Sequence, residues 1–144
     1  MHWFCETPSL QQIDPAWPAL PDTAMALLPK RRTGLELLGE EKVLAQQMGD
    51  SRLADFAAGR ACAHLAQKHL GLSAQPILRD ERAPVWPKGQ CGSISHAKDW
   101  ALAAVSTSLR GVGVDVEAQG RVTQKLYRAL FRPEEVNAFS YCSD

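Results

Sequence analysis

The stretch Ser51 to Leu70, SRLADFAAGRACAHLAQKHL, decides the fold of this chain, because it carries the strongest helical pattern of the 144 residues. Apolar side chains recur there at the three- and four-residue spacing of one helix face: Leu53, Phe56, Ala57, Ala61 and Leu65. Asp50 or Ser51 can cap the start of this helix, and Gly71 suits its end. The interior Gly59 costs about 1 kcal/mol of helix propensity relative to Ala. Gly59 therefore indicates a close approach by another backbone or by a ligand.

The segment before this helix is rich in proline. The first 29 residues hold five of the nine prolines of the chain. Proline has no backbone N–H and resists helix interiors and sheet ladders, so this segment is predicted to be an extended arm with short turns. Residues 40–48 then predict a short helix that ends at Gly49.

Beyond Gly71 the pattern changes to short strands joined by turns. Strands are predicted at Pro76–Leu78, Gly92–His96, Trp100–Thr107 and Gly111–Glu117. The stretch Ser108–Gly111 is predicted to be a hairpin turn between the last two strands. A helix is predicted over 123–131, and Pro133 is predicted to begin another, because proline suits the first position of a helix.

Composition excludes several classes of protein. Lys and Arg number 16 and Asp and Glu also number 16, so the chain lacks the basic excess of a general nucleic-acid or membrane-surface binder. No apolar run approaches the roughly 20 residues that span a bilayer, and the N-terminus does not resemble a signal peptide. The four cysteines show no zinc-clip spacing, and free thiols favour a reducing cytoplasm. We therefore expect a cytoplasmic globular protein with no membrane span and no nucleic-acid partner.

Asp115 and Glu117 form the first constellation with chemical potential. If residues 111–117 form a strand, the alternate valines point to the core and both carboxylates share the other face. Two carboxylates about 6–7 Å apart along a strand can share a hard cation such as Mg²⁺, which fills its octahedron with water and substrate phosphate. A solvated strand face accounts for the same spacing, and the residue pattern leaves both interpretations open.

A second constellation combines His96 with basic residues. His96 ends a predicted strand, where it can donate to a phosphate, act as a base, or serve only as a structural hydrogen bonder. Arg60 lies in a nearly apolar stretch of the long helix, and such an arginine indicates a specific anionic partner. Further basic residues surround the Pro84–Pro87 segment: Arg79, Arg82 and Lys88. The planar guanidinium group of arginine matches phosphate oxygens.

Taken in order, four segments resemble the motifs of 4′-phosphopantetheinyl transferases of the enterobactin-synthetase (surfactin) type. Residues 52–60 (RLADFAAGR) resemble the family's R-x-x-E-[FYH]-x-x-G-R helix, with Asp55 in place of the usual Glu. Residues 82–89 (RAPVWPKG) and 92–96 (GSISH) resemble its R-x-P-x-W-P-x-G and GS[IL][ST]H block. Residues 113–117 (GVDVE) resemble its metal motif, and residues 130–135 (LFRPEE) the helix start that follows.

The resemblance implies an α+β fold in which a small antiparallel sheet packs on a helix, followed by the start of a second, similar lobe. It implies three parts: 1–50 as a Pro-rich arm and short helix, 51–110 as a first lobe that contacts coenzyme A, and 111–144 as the metal-motif strand and the opening of the second lobe. The family's later W/F-[ST]-x-K-E segment has no counterpart after Glu135. The chain is therefore expected to be the N-terminal part of a longer protein or a truncated copy, with self-association through the exposed lobe interface.

The implied activity is the Mg²⁺-dependent transfer of 4′-phosphopantetheine from coenzyme A to a serine of an acyl, peptidyl or aryl carrier protein, as in siderophore biosynthesis. Coenzyme A would be bound by Arg52, Arg60, Arg79, Arg82, Lys88, Ser95 and His96. Asp115 and Glu117 would hold Mg²⁺, and His96 and Glu117 would be the catalytic residues. The alternative is a non-catalytic module that binds coenzyme A or a carrier protein.

Overall fold

A computed structural model of the chain describes residues 2–5, 20–31, 34–81, 83–118 and 131–133, with 2–5 described by their backbone alone. The architecture is α+β, as expected. Its elements in chain order are β1 (His2–Cys5), β2 (Thr23–Pro29), α1 (Glu41–Ala45), α2 (Asp50–His69), β3 (Leu78–Asp80), β4 (Ala83–Val85), β5 (Cys91–His96) and β6 (Trp100–Ser106).

Four of these strands form the main sheet, in the order β1-β2-β6-β5. Strand β6 is antiparallel to both of its neighbours, and β1 runs parallel to β2. Ala103 at the middle of β6 pairs with Ala26 on one side and Ile94 on the other. Strands β3 and β4 form a separate two-stranded hairpin. The main sheet is therefore the frame on which the other elements pack.

Helix α2 covers one face of this sheet with small side chains. Its buried residues at this contact are Ala58, Cys62, Ala63 and Ala66, and the strands present alanines such as Ala26 and Ala103. Because these side chains are short, the helix axis lies close to the sheet, and the Cys62 thiol donates to the Ala101 carbonyl oxygen at 3.1 Å. Burial raises the pKa of the Cys62 thiol to about 12. The helix predicted over 51–70 is thus confirmed as the main core element.

The opposite face of the sheet is covered by residues 111–118. Met25, Leu27, Leu102 and Ala104 form a second buried cluster there, and alternate valines pack on it: Val112, Val114 and Val116. These residues make no strand ladder, so the strand predicted over 111–117 and the hairpin turn before it are wrong. The predicted alternation nevertheless holds, because the valines are half-buried while the residues between them are exposed.

Strand β2 corrects the interpretation of the N-terminal segment as an extended arm. Residues 23–28 are buried, and β2 pairs with β6 at seven successive positions. Pro21 precedes the strand and Pro29 is its last residue, so the prolines flank an apolar run and remove no interior ladder bond. The proposed division at residues 50 and 110 stays a prediction.

Some of the remaining sequence predictions are confirmed, and one lies almost wholly outside the described residues. Strands β5 and β6 and helix α1 occur where they were expected, with ends shifted by up to three residues. The helix predicted over 123–131 lies outside the described residues except for Phe131. Among the described residues, no helix combines the length and apolar character needed to cross a membrane.

Candidate functional site

Gly59 brings helix α2 and the end of strand β5 into contact. A β-carbon at this position would lie 2.7 Å from both His96 Nε2 and Ile94 Cγ2. Such distances are too short for non-bonded atoms, so the close approach requires glycine. The sequence predicted a close approach by another backbone or by a ligand, and the structure instead places two side chains of β5 against Gly59.

Ile94 and His96 also line a cleft of about 260 Å³. Its lining comprises Arg52, Asp55, Phe56, Arg60, Arg79, Pro84, Ile94 and His96. Three guanidinium groups and one imidazole from α2, β3 and β5 thus meet around one cavity. Arginine binds phosphate oxygens through paired N–H donors, so the cleft has the chemistry of an anion site.

Arg60 is the buried member of this set, with 6% of its surface exposed. Its Nε–H donates to the Ile77 carbonyl oxygen at 2.7 Å, and Nη2 donates to the Leu78 carbonyl oxygen at 3.0 Å. Its guanidinium carbon lies 4.5 Å above the centre of the Phe56 ring. Burial lowers the pKa of Arg60, and the charge of Glu41 partly offsets that effect. Arg60 therefore fastens the chain entering β3 as well as lining the cleft.

Glu41 is the internal partner of this arginine, and sequence reasoning missed it. Its carboxylate is fully buried and lies 3.9 Å from Arg60 Nε. It accepts hydrogen bonds from the Leu38 N–H at 2.8 Å, the Ile77 N–H at 2.7 Å and His64 Nε2 at 3.0 Å. Burial alone would raise the pKa of Glu41, but these hydrogen bonds outweigh it and hold the pKa below its ordinary value. Glu41 is thus an ionised carboxylate that joins α1, α2 and β3.

His96 is positioned at the cleft by a hydrogen bond to α2. Its Nε2–H donates to the Asp55 carbonyl oxygen at 2.7 Å. Burial of the ring lowers its pKa; the Asp55 hydrogen bond and charge oppose this shift, and Lys30 and Arg60 add to it. The imidazole is therefore neutral at pH 7, with its proton on Nε2 and an acceptor lone pair on Nδ1.

Lys30 is a second residue that the sequence analysis missed. Its ammonium group lies 2.6 Å from the Asp55 carboxylate, which lines the cleft. The signal available in the sequence is the basic run Lys30-Arg31-Arg32 directly after an apolar stretch. That signal was hidden because the stretch was assigned to an arm instead of a strand.

Ser95 and the two carboxylates are not among the residues that line this cleft. Ser95 Oγ donates to Asp115 Oδ1 at 2.5 Å and accepts from the Val116 N–H at 3.1 Å. Asp115 and Glu117 are both exposed, on the side of the 111–118 segment opposite the packed valines. Within the described ranges, no group of three or more His, Cys, Asp or Glu side chains is placed to hold a metal ion.

Lys88 is not among the described residues that line the cleft. Lys88 borders a separate depression of about 430 Å³ beside Trp86 and Gly39. Arg82 lies outside the described residues. Of the seven residues assigned to coenzyme A, the structure therefore brings four together: Arg52, Arg60, Arg79 and His96.

Comparison with known proteins defines the class to which this fold and cleft belong. Residues 40–106 match the family model described as the 4′-phosphopantetheinyl transferase N-terminal domain. This range runs from α1 to the end of β6, so it includes the cleft, helix α2 and the four strands that follow it, β3 to β6. The matched region is therefore a domain of that family.

Individual relatives agree with this assignment. The chain is 33% identical to a 4′-phosphopantetheinyl transferase of Mycobacterium tuberculosis over 117 residues, covering 79% of this chain and 52% of the relative. It is 33% identical to one from Nocardia iowensis over 99 residues, covering 67% of this chain and 44% of the relative. It is 45% identical to enterobactin synthase component D of Salmonella typhi over 69 residues, which covers 48% of this chain and 29% of the relative.

The chain belongs to the 4′-phosphopantetheinyl transferase family through its N-terminal domain, as the sequence motifs indicated. It spans about half the length of the two transferases from Mycobacterium tuberculosis and Nocardia iowensis.

Proposed function

We propose that this chain binds coenzyme A and transfers its 4′-phosphopantetheine group to a serine of an acyl, peptidyl or aryl carrier protein. The observation that carries the proposal is the convergence of Arg52, Arg60, Arg79 and His96 on one cleft. That cleft lies within the region that matches the N-terminal domain of the transferase family. Coenzyme A carries a 3′-phosphate and a pyrophosphate, so a cavity lined with guanidinium groups suits it.

The cleft residues have different parts in this proposal. Arg52 is exposed and Arg79 is half-buried, so their guanidinium groups can contact phosphate oxygens directly. Arg60 has two of its N–H groups committed to backbone carbonyls, and it adds positive charge from a buried position. His96 Nδ1 is an acceptor in the neutral ring, so it contacts a phosphate as a donor only after it takes up a proton.

The donor set at Asp115 and Glu117 fits a hard divalent cation. Both carboxylates are exposed on one side of a segment whose valines pack against the sheet. Mg²⁺ uses one or two protein carboxylates and keeps its other positions for water and substrate phosphate. When bound, Mg²⁺ would neutralise charge on the pyrophosphate of coenzyme A.

The proposed reaction is a phosphoryl-type transfer. The carrier serine oxygen forms a bond to the β-phosphorus of coenzyme A, and the bond between that phosphorus and the bridging pyrophosphate oxygen breaks. Adenosine 3′,5′-bisphosphate leaves with that oxygen, and the serine proton passes to a base, for which we propose the Glu117 carboxylate. Positioning and charge stabilisation account for most of the rate in such transfers.

The first test measures coenzyme A binding by calorimetry in the presence of Mg²⁺. Arg52→Ala and Arg79→Ala each remove a charged partner, which typically costs about 1.5–3 kcal/mol, or roughly tenfold to a hundredfold in affinity. Lys42→Ala is the matched control, because Lys42 is exposed on α1 and is not among the residues that line the cleft. Equal affinities in wild type and both arginine variants would remove the cleft from the proposal.

The second test separates transfer from binding. The purified chain is incubated with coenzyme A, Mg²⁺ and an apo carrier protein, and the carrier is examined by mass spectrometry. A mass gain equal to phosphopantetheine supports transfer. Tight coenzyme A binding without a mass gain supports the alternative, a module that binds coenzyme A without turnover.

The pathway and setting are part of the proposal. The 45% identity to enterobactin synthase component D of Salmonella typhi supports a carrier protein of a siderophore or related synthetase. Dependence on Mg²⁺, a cytoplasmic location and self-association all stay predictions. Size-exclusion chromatography with light scattering tests the last of these directly.

A further inference from the structure

The side chains of neighbouring residues at the end of β5 lie on opposite faces of the sheet. Ile94 and His96 contact α2 at Gly59, so even-numbered side chains of β5 face the helix and the basic cleft. Cys91 and Ser95 contact residues that follow β6: Cys91 Sγ donates to the Leu109 carbonyl oxygen, and Ser95 contacts Asp115. Ser95 therefore belongs to the face covered by the 111–118 segment and does not line the cleft.

The Ser95 hydroxyl makes two hydrogen bonds to that segment. Its one proton goes to Asp115 Oδ1, and its oxygen accepts the Val116 N–H. A serine hydroxyl has a single proton to donate, and a phosphate oxygen without a proton can only accept. Direct donation from Ser95 to coenzyme A would therefore require the Asp115 contact to break.

We infer that Ser95 is a positioning residue that fastens residues 111–118 to the end of β5 and orients the Asp115 carboxylate. The segment has no strand ladder, so its attachment near the carboxylates depends on valine packing and on these side-chain hydrogen bonds. Partners behind a metal ligand typically change metal affinity by about 10- to 100-fold when they are removed. The inference rests on the proposed function only where it treats Asp115 as a metal ligand.

The experiment has two readouts besides activity, and both use the purified chain. Hydrogen exchange at the Val116 amide, followed by NMR, reports the attachment of the segment. Titration with Mn²⁺ alone, followed by electron paramagnetic resonance, reports the carboxylate site. Ser95→Ala is compared with Ser95→Thr, which keeps the hydroxyl, and with Ser93→Ala, which alters the same face of β5 two residues away.

In Ser95→Ala we expect Val116 exchange to quicken by about threefold to tenfold, since one hydrogen bond is lost. We expect Mn²⁺ affinity to fall by about tenfold, the low end of the effect of such partners. Ser95→Thr and Ser93→Ala keep both values near wild type. Asp115→Asn keeps an oxygen acceptor for Ser95, so it retains Val116 protection while it loses Mn²⁺ affinity.

Three results would overturn the inference. Unchanged Val116 exchange in Ser95→Ala removes the fastening role, and unchanged Mn²⁺ affinity removes the orienting role. A loss of coenzyme A affinity in Ser95→Ala with both readouts unchanged assigns Ser95 to coenzyme A itself. If the wild-type chain binds no Mn²⁺ while Ser95→Ala still speeds Val116 exchange, the fastening stands and the metal assignment in the proposed function fails.

Discussion

Single residues set the dimensions and the protonation of the cleft. Gly59 determines how closely α2 approaches β5, and His96 is the titratable group at that contact. Arg60 combines a structural role with a place in the lining. Each of these properties can be altered by one substitution, so the residue scale offers the sharpest tests of the site.

Gly59→Ala tests the close approach of helix and strand. Alanine gains about 1 kcal/mol of helix propensity, but overpacking a tight site costs typically about 1–3 kcal/mol. Because the new β-carbon would lie 2.7 Å from two side-chain atoms, we expect the steric cost to exceed the gain. Urea denaturation should show lower stability, and coenzyme A affinity should fall with it.

Gly111→Ala is the matched control for this substitution, since nothing lies within 4 Å of a β-carbon at that position. Gly59→Ala at wild-type stability and affinity would show that His96 and Ile94 move aside without consequence.

His96 predicts a pH dependence of coenzyme A binding. Burial holds its pKa below 6.5, so the free protein carries a neutral ring at pH 7, and contact with a phosphate favours the protonated ring. Affinity should therefore rise as pH falls from 8 to 6, by at most about tenfold per pH unit for one proton.

Calorimetry in buffers of different ionisation enthalpy measures the proton uptake directly. Coenzyme A also titrates in this range, so His96→Gln supplies the reference. If wild type and His96→Gln show equal proton uptake, His96 is not protonated on binding.

At the scale of secondary-structure elements, a short helix is joined to the site through its first residue. Helix α1 has only five residues, and such a helix is marginal in isolation. Glu41 connects it to the N–H of Ile77 just before β3 and to His64 on α2. The position of β3, and with it of Arg79, therefore depends on this buried carboxylate as well as on Arg60.

Glu41→Ala is expected to lower the free energy of unfolding by about 3–5 kcal/mol, the usual effect of removing one partner from a buried charged cluster. Glu40→Ala is the matched control, because the neighbouring Glu40 is exposed. Urea denaturation of the two variants and wild type measures the difference, and equal losses would contradict a special role for Glu41.

The lowered pKa of Glu41 predicts that the stability of the fold decreases in acid. The pKa of Glu41 is lowered in the folded chain, so its contribution is fully present above its unfolded pKa of about 4.5. It is lost as pH falls through the folded pKa, because the unfolded state then binds the proton more readily. Stability measured from pH 6 downward should fall less steeply in Glu41→Gln than in wild type.

At the scale of the whole molecule, the two faces of the main sheet carry different parts of the candidate site. One face carries α2 and the anion cleft, and the other carries the valines that hold Asp115 and Glu117 in place. The end of β5 is where the two meet, since His96 faces one side and Ser95 the other. The proposed function therefore requires coenzyme A to extend from the cleft past the end of β5 to reach the carboxylates.

Val114→Ser tests whether the packing of the valines on the sheet face opposite α2 contributes to stability. Val114 is half-buried on the Met25–Leu102 cluster, so a shorter polar side chain should cost about 1–2 kcal/mol of stability. Val43→Ser is the control, because Val43 is 60% exposed on α1. Thermal unfolding of both variants measures the difference, and an equal shift would show that the valines do not contribute to the fold.

The sequence by itself determined the local elements and the family. Helix α2 and strands β5 and β6 follow from periodicity, which is a short-range property. The alternation over 111–117 correctly separated the packed valines from the exposed carboxylates, although the segment forms no ladder. The motifs correctly indicated the 4′-phosphopantetheinyl transferase family, because they are contiguous stretches of sequence.

Only the tertiary structure decided how these pieces combine. Strand β2 is seen to be a central strand only from its pairing with β6, because the prolines at its ends led the sequence to be interpreted as an extended arm. Three sets of hydrogen bonds show this: Glu41 accepts from the Ile77 N–H, Arg60 donates to two backbone carbonyls, and Ser95 donates to Asp115. Each of them joins residues at least 17 positions apart in the sequence. Such contacts depend on how the elements pack in three dimensions, and no local pattern of residues encodes that packing.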